Sequence, residues 1–565
     1  MDETLGGFCM VLHGHLPYVL RHGSAPHGAA WLFEAMAETY LPLLEVIADL
    51  SAKNIRPALT IGLTPILLEQ LTDVDAKSGF VIYVRQRAAR AAEDRAQFLR
   101  QGDAHMAELA GDWEKWYLAR LEFFERIGRD IAGQFAALHR QGQIQLLGGP
   151  ATHAYFPLLL NDQSIRAQLA AGAAVTRRII GSDAKLSGLW LPECGYRPAD
   201  DAWKPAVLDG PGRYRPGIES FLPAAGVTHT FLDSHLIAGG LPIGLMVDGR
   251  FFAANRAHIN RDRRSGWREA LDPIGIASET GRAEVFAFAR HPSLTQQVWS
   301  SKVGYPGDGA YLEFHKKHGP AGLRYWRVTD VTADLSSKEP YDPTAAPGRT
   351  YTHAQHFCTM VKDVLREYHI RTGRTGHCVA AFDAELFGHW WFEGPAFLRD
   401  VILTLAADPS VSRMTAQEAL AAAPPDKVMR PMTGSWGRGG DHSVWLNDKT
   451  RWMWEVEYRA EMELAAQLRV LPWAGNFTIA EALRWAGREL LLLQASDWPF
   501  VVENGSALDY GIKRFSLHST RFDRAIDIAE TLAAGGILSP SQESQLAEMK
   551  AHDSVFSEID LNWWV

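Results

Sequence analysis

Seven short apolar runs, rich in β-branched and aromatic residues and each closing on a polar or glycine-bearing turn, punctuate the chain. They are Phe8–Leu12, Ala58–Gly62, Ile144–Gly148, Leu186–Leu191, Val227–Leu232, Glu284–Ala289 and Cys378–Phe382. Continuous apolar runs of this length mark strands buried on both faces, which is the habit of a parallel sheet. Helix-like stretches of Ala, Arg, Glu and Leu separate them, the longest from about Val84 to Gln141. Repeated strand–helix units with right-handed crossovers close into a barrel or spread into a doubly wound sheet. The fold class is therefore α/β.

Two stretches depart from that rhythm. Composition shifts to Pro, Gly and Asp around Pro198–Pro223, which predicts a small lobe inserted after the fourth strand. Past Met414 no strand of this type recurs, and helix starts take over: Thr478 with Glu481 reads as a capping box, as does Ser539-Pro540 with Gln542. The expected organisation is a barrel over 1–410, with a helical insertion at about 76–141 and the small lobe at about 197–225. A helical C-terminal domain over 411–565 completes it. The 565 residues suffice for this, at roughly 150 per domain.

Charge excludes some partners. With 57 basic against 66 acidic side chains the net charge is −9, and the densest basic stretch, Arg261–Arg268, is short and interrupted by Asp262. Nucleic acid is not expected as a partner. The start of the chain lacks the features of a secretory signal, and no apolar run approaches the roughly 18 residues of a membrane span. A cytoplasmic protein without a membrane partner is expected. Cys9, Cys194, Cys358 and Cys378 are far apart and form no metal or disulfide pattern, so reduced thiols are expected.

In a parallel barrel the loops that follow the strands converge on one mouth. Here they begin with His13-Gly-His15 after the first run, His153 after the third, Glu193 after the fourth and Asp383-Ala-Glu385 after the seventh. Each alone reads as a capped strand or surface ion pair; four on one rim read as a site. Glu193 and Asp383, from distant parts of the chain, suit glycosyl transfer, in which one carboxylate attacks the anomeric carbon and the other protonates the departing oxygen. Glu385 competes with Asp383, because positions i and i+2 of an extended segment share a face. His13 and His15 also form a metal-ligand spacing, which with Asp383 would serve a metal-dependent sugar enzyme. The stretch Gly434–Trp445 is glycine-rich but matches neither phosphate-loop fingerprint. Its glycines permit close backbone approach to a ligand, and its two tryptophans suit a sugar chain. Core packing explains tryptophan equally well in a chain with 19 of them.

The set His13-Gly-His-Leu-Pro-Tyr18, Ala151-Thr-His153, Trp190-Leu-Pro-Glu-Cys-Gly-Tyr196, Phe382-Asp-Ala-Glu-Leu-Phe-Gly-His-Trp-Trp391 and Ser496-Asp-Trp-Pro499 resembles glycoside hydrolase family 57, and within it the 1,4-α-glucan branching enzymes. The resemblance spans nearly the whole chain. It implies a seven-stranded (β/α)7 incomplete TIM-like barrel with an inserted lobe and a helical C-terminal domain. It implies Glu193 as nucleophile and Asp383 as general acid/base, which decides against Glu385. It also implies a donor-sugar subsite lined by His13, His15 and His153, and glucan contacts at Trp190, Trp299, Trp436, Trp445 and Asp497. No metal or organic cofactor is implied. The implied partner is an α-1,4-glucan, amylose or glycogen-like, as donor and acceptor, and the implied reaction is α-1,6 branching with retention.

Two departures bear on the balance of branching and hydrolysis. Ala25-Pro26-His27-Gly28 stands where many branching members have Trp-Pro-aromatic-Gly, and no Tyr follows Asp233 before Tyr305. The alternatives are an α-amylase or 4-α-glucanotransferase of the same family, a catalytically silent glucan-binding protein, and the metal enzyme.

Overall fold

The computed structural model describes residues 4–184, 186–247, 250–253, 269–279, 281–300, 303–319, 322–422 and 424–565. The basic stretch Arg261–Arg268 lies outside the described residues. All seven apolar runs join one closed parallel ring. Gly6–Gly14 pairs with Leu59–Leu63, which pairs with Ile144–Leu147. Bridges Gly148↔Leu189 and Gly188↔His229 carry the ring through the fourth run to His229–Asp233. That strand pairs with Ala283–Arg290, which meets Gly376–Asp383, which returns to Gly6–Gly14. Burial on both faces explains the unbroken apolar character: all nine residues of Gly6–Gly14 are buried. The fourth run contributes only isolated bridges, and its neighbours crowd it closely. A Cβ on Gly188 would lie 2.4 Å from His229 Nε2 and 2.5 Å from Leu147 Cδ2.

The single long helical stretch resolves into three helices, Val74–Gln101, Ala104–Arg126 and Ile131–Arg140. Gly102 and Gly128 divide them with φ of +77° and +67°, conformations that glycine adopts at little cost. The side chains of Asp73, Asp103 and Asp130 cap the starts. Within the expected lobe, Asp200–Trp203 pairs antiparallel with Arg213–Arg215.

Strands the sequence reading did not foresee extend the barrel sheet. Val411–Arg413 lies parallel to Gly6–Phe8, so the position expected to begin the C-terminal domain is occupied by a strand of the barrel sheet. Lys427–Arg430 is sandwiched between Ile274–Ala277 and Leu241–Val247. Val411–Arg413 and Lys427–Arg430 are too short to show an apolar pattern of their own, and pairing with neighbours makes them strands. Helices Arg451–Val470, Phe477–Leu493, Asp497–Asn504, Leu508–Ala533 and Pro540–His552 follow. Ser539 and Gln542 form the predicted box. Thr478 and Glu481 do not: Asn476 is the N-cap, Thr478 donates to Asn476 Oδ1 at 2.9 Å, and Glu481 pairs with Lys550. Among the described residues no helix is long and apolar enough to cross a membrane.

Candidate active site

The strand ends open on a cavity of about 1980 Å³, lined by His13, His15, His153, Glu193, Asp383 and Asp497 among others. Register accounts for part of the convergence. His13 and Asp383 are direct partners on adjacent strands, and Gly62 lies opposite His13 on the other side.

The three histidines form one stacked block. His15 and His153 rings lie 4.0 Å apart at 19°, and His13 rests on Trp190 at 4.8 Å and 14°. Hydrogen bonds hold each ring in orientation. His13 Nε2 is 2.9 Å from His153 Nε2, and His153 Nδ1 is 2.9 Å from Ser496 Oγ. His15 Nδ1 is 3.0 Å from Thr64 Oγ1, and its Nε2 is 2.9 Å from Asp497 Oδ2. Burial depresses the pKa of His13 and His153 well below the usual imidazole range, so both are neutral near pH 7.

Glu193 sits in a left-handed conformation, φ +59°, followed by Cys194 at +49°. For a side chain of this size such a geometry costs about 1–3 kcal/mol and persists only where the surroundings impose it. Two bonds from the glycine-rich stretch do so: the Trp436 backbone N–H donates to Glu193 O at 2.9 Å and its indole N–H donates to Glu193 Oε2 at 2.7 Å. His153, at φ +61°, stands with Nδ1 3.9 Å from the other Glu193 oxygen.

The three carboxyls have different environments. Burial pushes Glu193 up to about 8; the Trp436 N–H opposes this, and the charges of Asp383 and Asp497 add to it. Burial raises Asp383 only to about 6, because His15 and Arg290 favour its anion. The resting order is therefore the reverse of the one a general acid at Asp383 calls for, because His15 and then Arg290 favour the Asp383 anion while the neighbouring carboxylates oppose that of Glu193; Arg290 is a residue the sequence pattern did not single out. Arg290 ends its strand, bonds to Asp233 and lies 4.9 Å over the Trp436 ring. The strand-end rule that found Glu193 and Asp383 extends to it; only the choice of residue types left it out.

Glu385 lines the same cavity, but it does not share Asp383's face. The strand ends at Asp383, and Ala384–Leu386 turns into a 3₁₀ helix, which breaks the two-residue alternation. Its Oε1 accepts from the Tyr40 hydroxyl and from the His15 N–H, and burial raises it to about 8.

The tryptophans divide. Trp436 lines the cavity, and Trp299, 47% exposed, stands at its wall with Trp390 edge-on at 5.9 Å. Trp190 is buried beneath His13 and supports the histidine block. Trp445 also lines the cavity, with its ring buried and stacked on Tyr155 at 4.3 Å. Local sequence does not distinguish a wall tryptophan from a core one.

His15, His153 and Asp497 are close enough together to hold a metal. However, both ring nitrogens of each histidine already have hydrogen-bond partners. Asp383, which the metal alternative required, is not in that group.

A parallel (β/α)7 ring whose mouth gathers an acidic pair and a histidine block is the architecture of a glycoside-bond enzyme. The chain matches the glycosyl hydrolase family 57 profile over residues 9–430 and belongs to that family. Residues 458–564 match the C-terminal domain of 1,4-alpha-glucan branching enzymes. A 1,4-alpha-glucan branching enzyme of Thermococcus kodakarensis is 36% identical, over 98% of this chain and 78% of its own length. The crystal structure of a branching enzyme of this family from Pyrococcus horikoshii superposes with a TM-score of 0.88 at 35% identity, covering 99% of this chain and 97% of that one. An α-amylase from Thermotoga maritima superposes at 0.79 with 26% identity, covering 99% of each chain.

Proposed function

We propose that this protein is a 1,4-α-glucan branching enzyme that works with retention of configuration. Glu193 attacks C1 of an α-1,4-linked glucose and forms a glycosyl-enzyme while Asp383 donates its proton to the departing chain. Asp383 then takes the proton of an acceptor 6-hydroxyl as that oxygen displaces Glu193, and the two inversions leave an α-1,6 branch. Between about pH 6 and about 8 the resting pair holds one proton. Substrate moves it to Asp383, because cationic character growing at C1 favours the Glu193 anion while the glycosidic oxygen accepts from the acid.

The observation that carries this reading is the joint presence of Glu193, Asp383 and the histidine block on one cavity of about 1980 Å³. That is about twice the upper end of the roughly 300–1,000 Å³ typical of small-ligand pockets, room for a donor and an acceptor chain. His13, His15, His153, Trp436 and Asp497 hold the donor sugar, and Trp299 with Trp390 takes the chain farther out. The barrel with its insertions is the catalytic unit, and the C-terminal helices complete the cleft through Asp497. The four cysteines are free and buried, which suits the reducing cytoplasm.

The likeness to the Thermotoga maritima α-amylase favours a second reading, hydrolysis by the same pair with water as acceptor. Incubation with amylose separates them. Proton NMR shows new α-1,6 linkages if branching is right, and only new reducing ends if the protein is an amylase.

A further inference from the structure

A second cavity, about 400 Å³, lies behind the glycine-rich stretch and is lined by Arg197, Trp203, Lys204, Thr433, His442 and Tyr458 among others. Its notable member is Arg197, 5% exposed. The two terminal nitrogens donate to the carbonyls of Pro198 and Pro216 at 3.1 and 3.0 Å, while Nε has no acceptor. Among the described residues no carboxylate forms an ion pair with it. The neighbouring arginine, Arg215, is paired with Asp162, and the nearby Glu219 carboxyl is bonded by Tyr196 and raised by burial. Burial and the charge of Arg215 disfavour the Arg197 cation, and the more distant carboxyls of Asp162 and Glu219 oppose them; an anion delivered from the cavity would pair it directly. Lys204, exposed on the same wall, adds a second cation. Asp200 also lines the cavity, with Oδ1 accepting from the Ala202 N–H at 2.9 Å.

Size decides the class of ligand. The volume is at the low end of the small-ligand range of roughly 300–1,000 Å³, too small for a glucan chain and far larger than a bare phosphate. The remaining walls, Trp203, Tyr458 and Leu446, are largely apolar, with Arg215 stacked over the Trp203 ring at 4.1 Å, and such a wall suits the apolar face of a sugar ring.

The cavity is wired to the catalytic glutamate. Tyr196 and Gly434 exchange backbone hydrogen bonds at 2.9 and 3.0 Å, Thr433 Oγ1 donates to Tyr196 O at 3.3 Å, and Trp436 holds Glu193 at the far end of the same pairing. Thus Glu193 faces the large cavity and Arg197, four residues on, faces the small one. His442 ties the stretch to Tyr155 at 2.8 Å and to Thr433 at 3.0 Å.

We propose that the second cavity binds a phosphorylated monosaccharide, with phosphate on Arg197 and Lys204 and the ring beside Trp203, and that occupancy is transmitted to Glu193 through the Tyr196–Gly434 pairing. The test is calorimetric titration of the full chain with glucose 6-phosphate and with inorganic phosphate, with maltoheptaose saturating the large cavity. One saturable site is expected, tighter for glucose 6-phosphate than for phosphate. Arg197→Lys and, should that variant fold poorly, the exposed Lys204→Glu each weaken it by at least about tenfold. Turnover on amylose changes at saturating glucose 6-phosphate in the wild type and does not respond in Lys204→Glu. Absence of saturable binding at millimolar concentration, equal affinity for phosphate and the sugar phosphate, or binding undiminished in both variants overturns the site. Binding without any change in turnover overturns the coupling.

Discussion

The indole N–H of Trp436 donates to Glu193 Oε2 at 2.7 Å, so a residue from the glycine-rich stretch steadies the anion of a residue 243 positions earlier. Trp436→Phe keeps the ring but removes that donor. Hydrogen bonds to charged groups contribute about 1.5–3 kcal/mol, so kcat on amylose should fall roughly 10- to 100-fold, and the Glu193 limb of the pH–rate profile should move to higher pH. A profile identical to wild type would show that this bond does not tune the carboxylate.

The acidic pair dictates the pH dependence. Activity needs one proton on the pair, so it should decline below about pH 6, where both groups are protonated, and above about 8, where both are ionised. Initial rates across pH 5–9 test for this bell. Asp383→Asn should cost about 10²- to 10⁴-fold.

Glu193→Gln should abolish turnover and yet stabilise the fold in one pH window. Its folded pKa, about 8, lies above the ordinary 4.5. For such a carboxyl the stability present below 4.5 is lost as pH rises through about 8. The variant escapes that loss, so its Tm should exceed wild type at pH 8.5 and match it at pH 4. Equal Tm values at both pH values would contradict the raised pKa.

Trp299→Ala removes an exposed ring from the cavity wall without touching the acidic pair. Aromatic stacking amounts to about 0.5–1.5 kcal/mol, so KM for amylose should rise roughly 2- to 12-fold with kcat nearly unchanged. A fall in kcat alone would place Trp299 in the chemistry instead.

The ring nitrogens of His15 and His153 are already spent on Thr64, Asp497, His13 and Ser496. Activity should therefore survive exhaustive dialysis against a chelator. Loss restored by a divalent cation would revive the metal alternative.

Much of the architecture was legible in the chain. The seven apolar runs are local signals, and the residues after them reach one mouth because parallel closure leaves no other arrangement. The helix breaks at Gly102 and Gly128 are equally local, single glycines set in a long run of helix formers. Lys427–Arg430 was not legible, because its strand character comes from two flanking strands and not from its own residues. Glu385 leaves the alternation of its strand because alternation holds only while the chain stays extended.

The sequence by itself determined which acids and histidines stand at the strand ends, since covalent order and hydrophobic period fix where strands stop. Only the tertiary structure decided what those groups are. Burial set Glu193 near 8, His15 and Arg290 held Asp383 near 6, and packing buried Trp190 and Trp445 while leaving the Trp436 indole on the Glu193 carboxyl. Protonation and exposure depend on charges and atoms brought close from hundreds of residues away, and such distances exist only once the chain has closed.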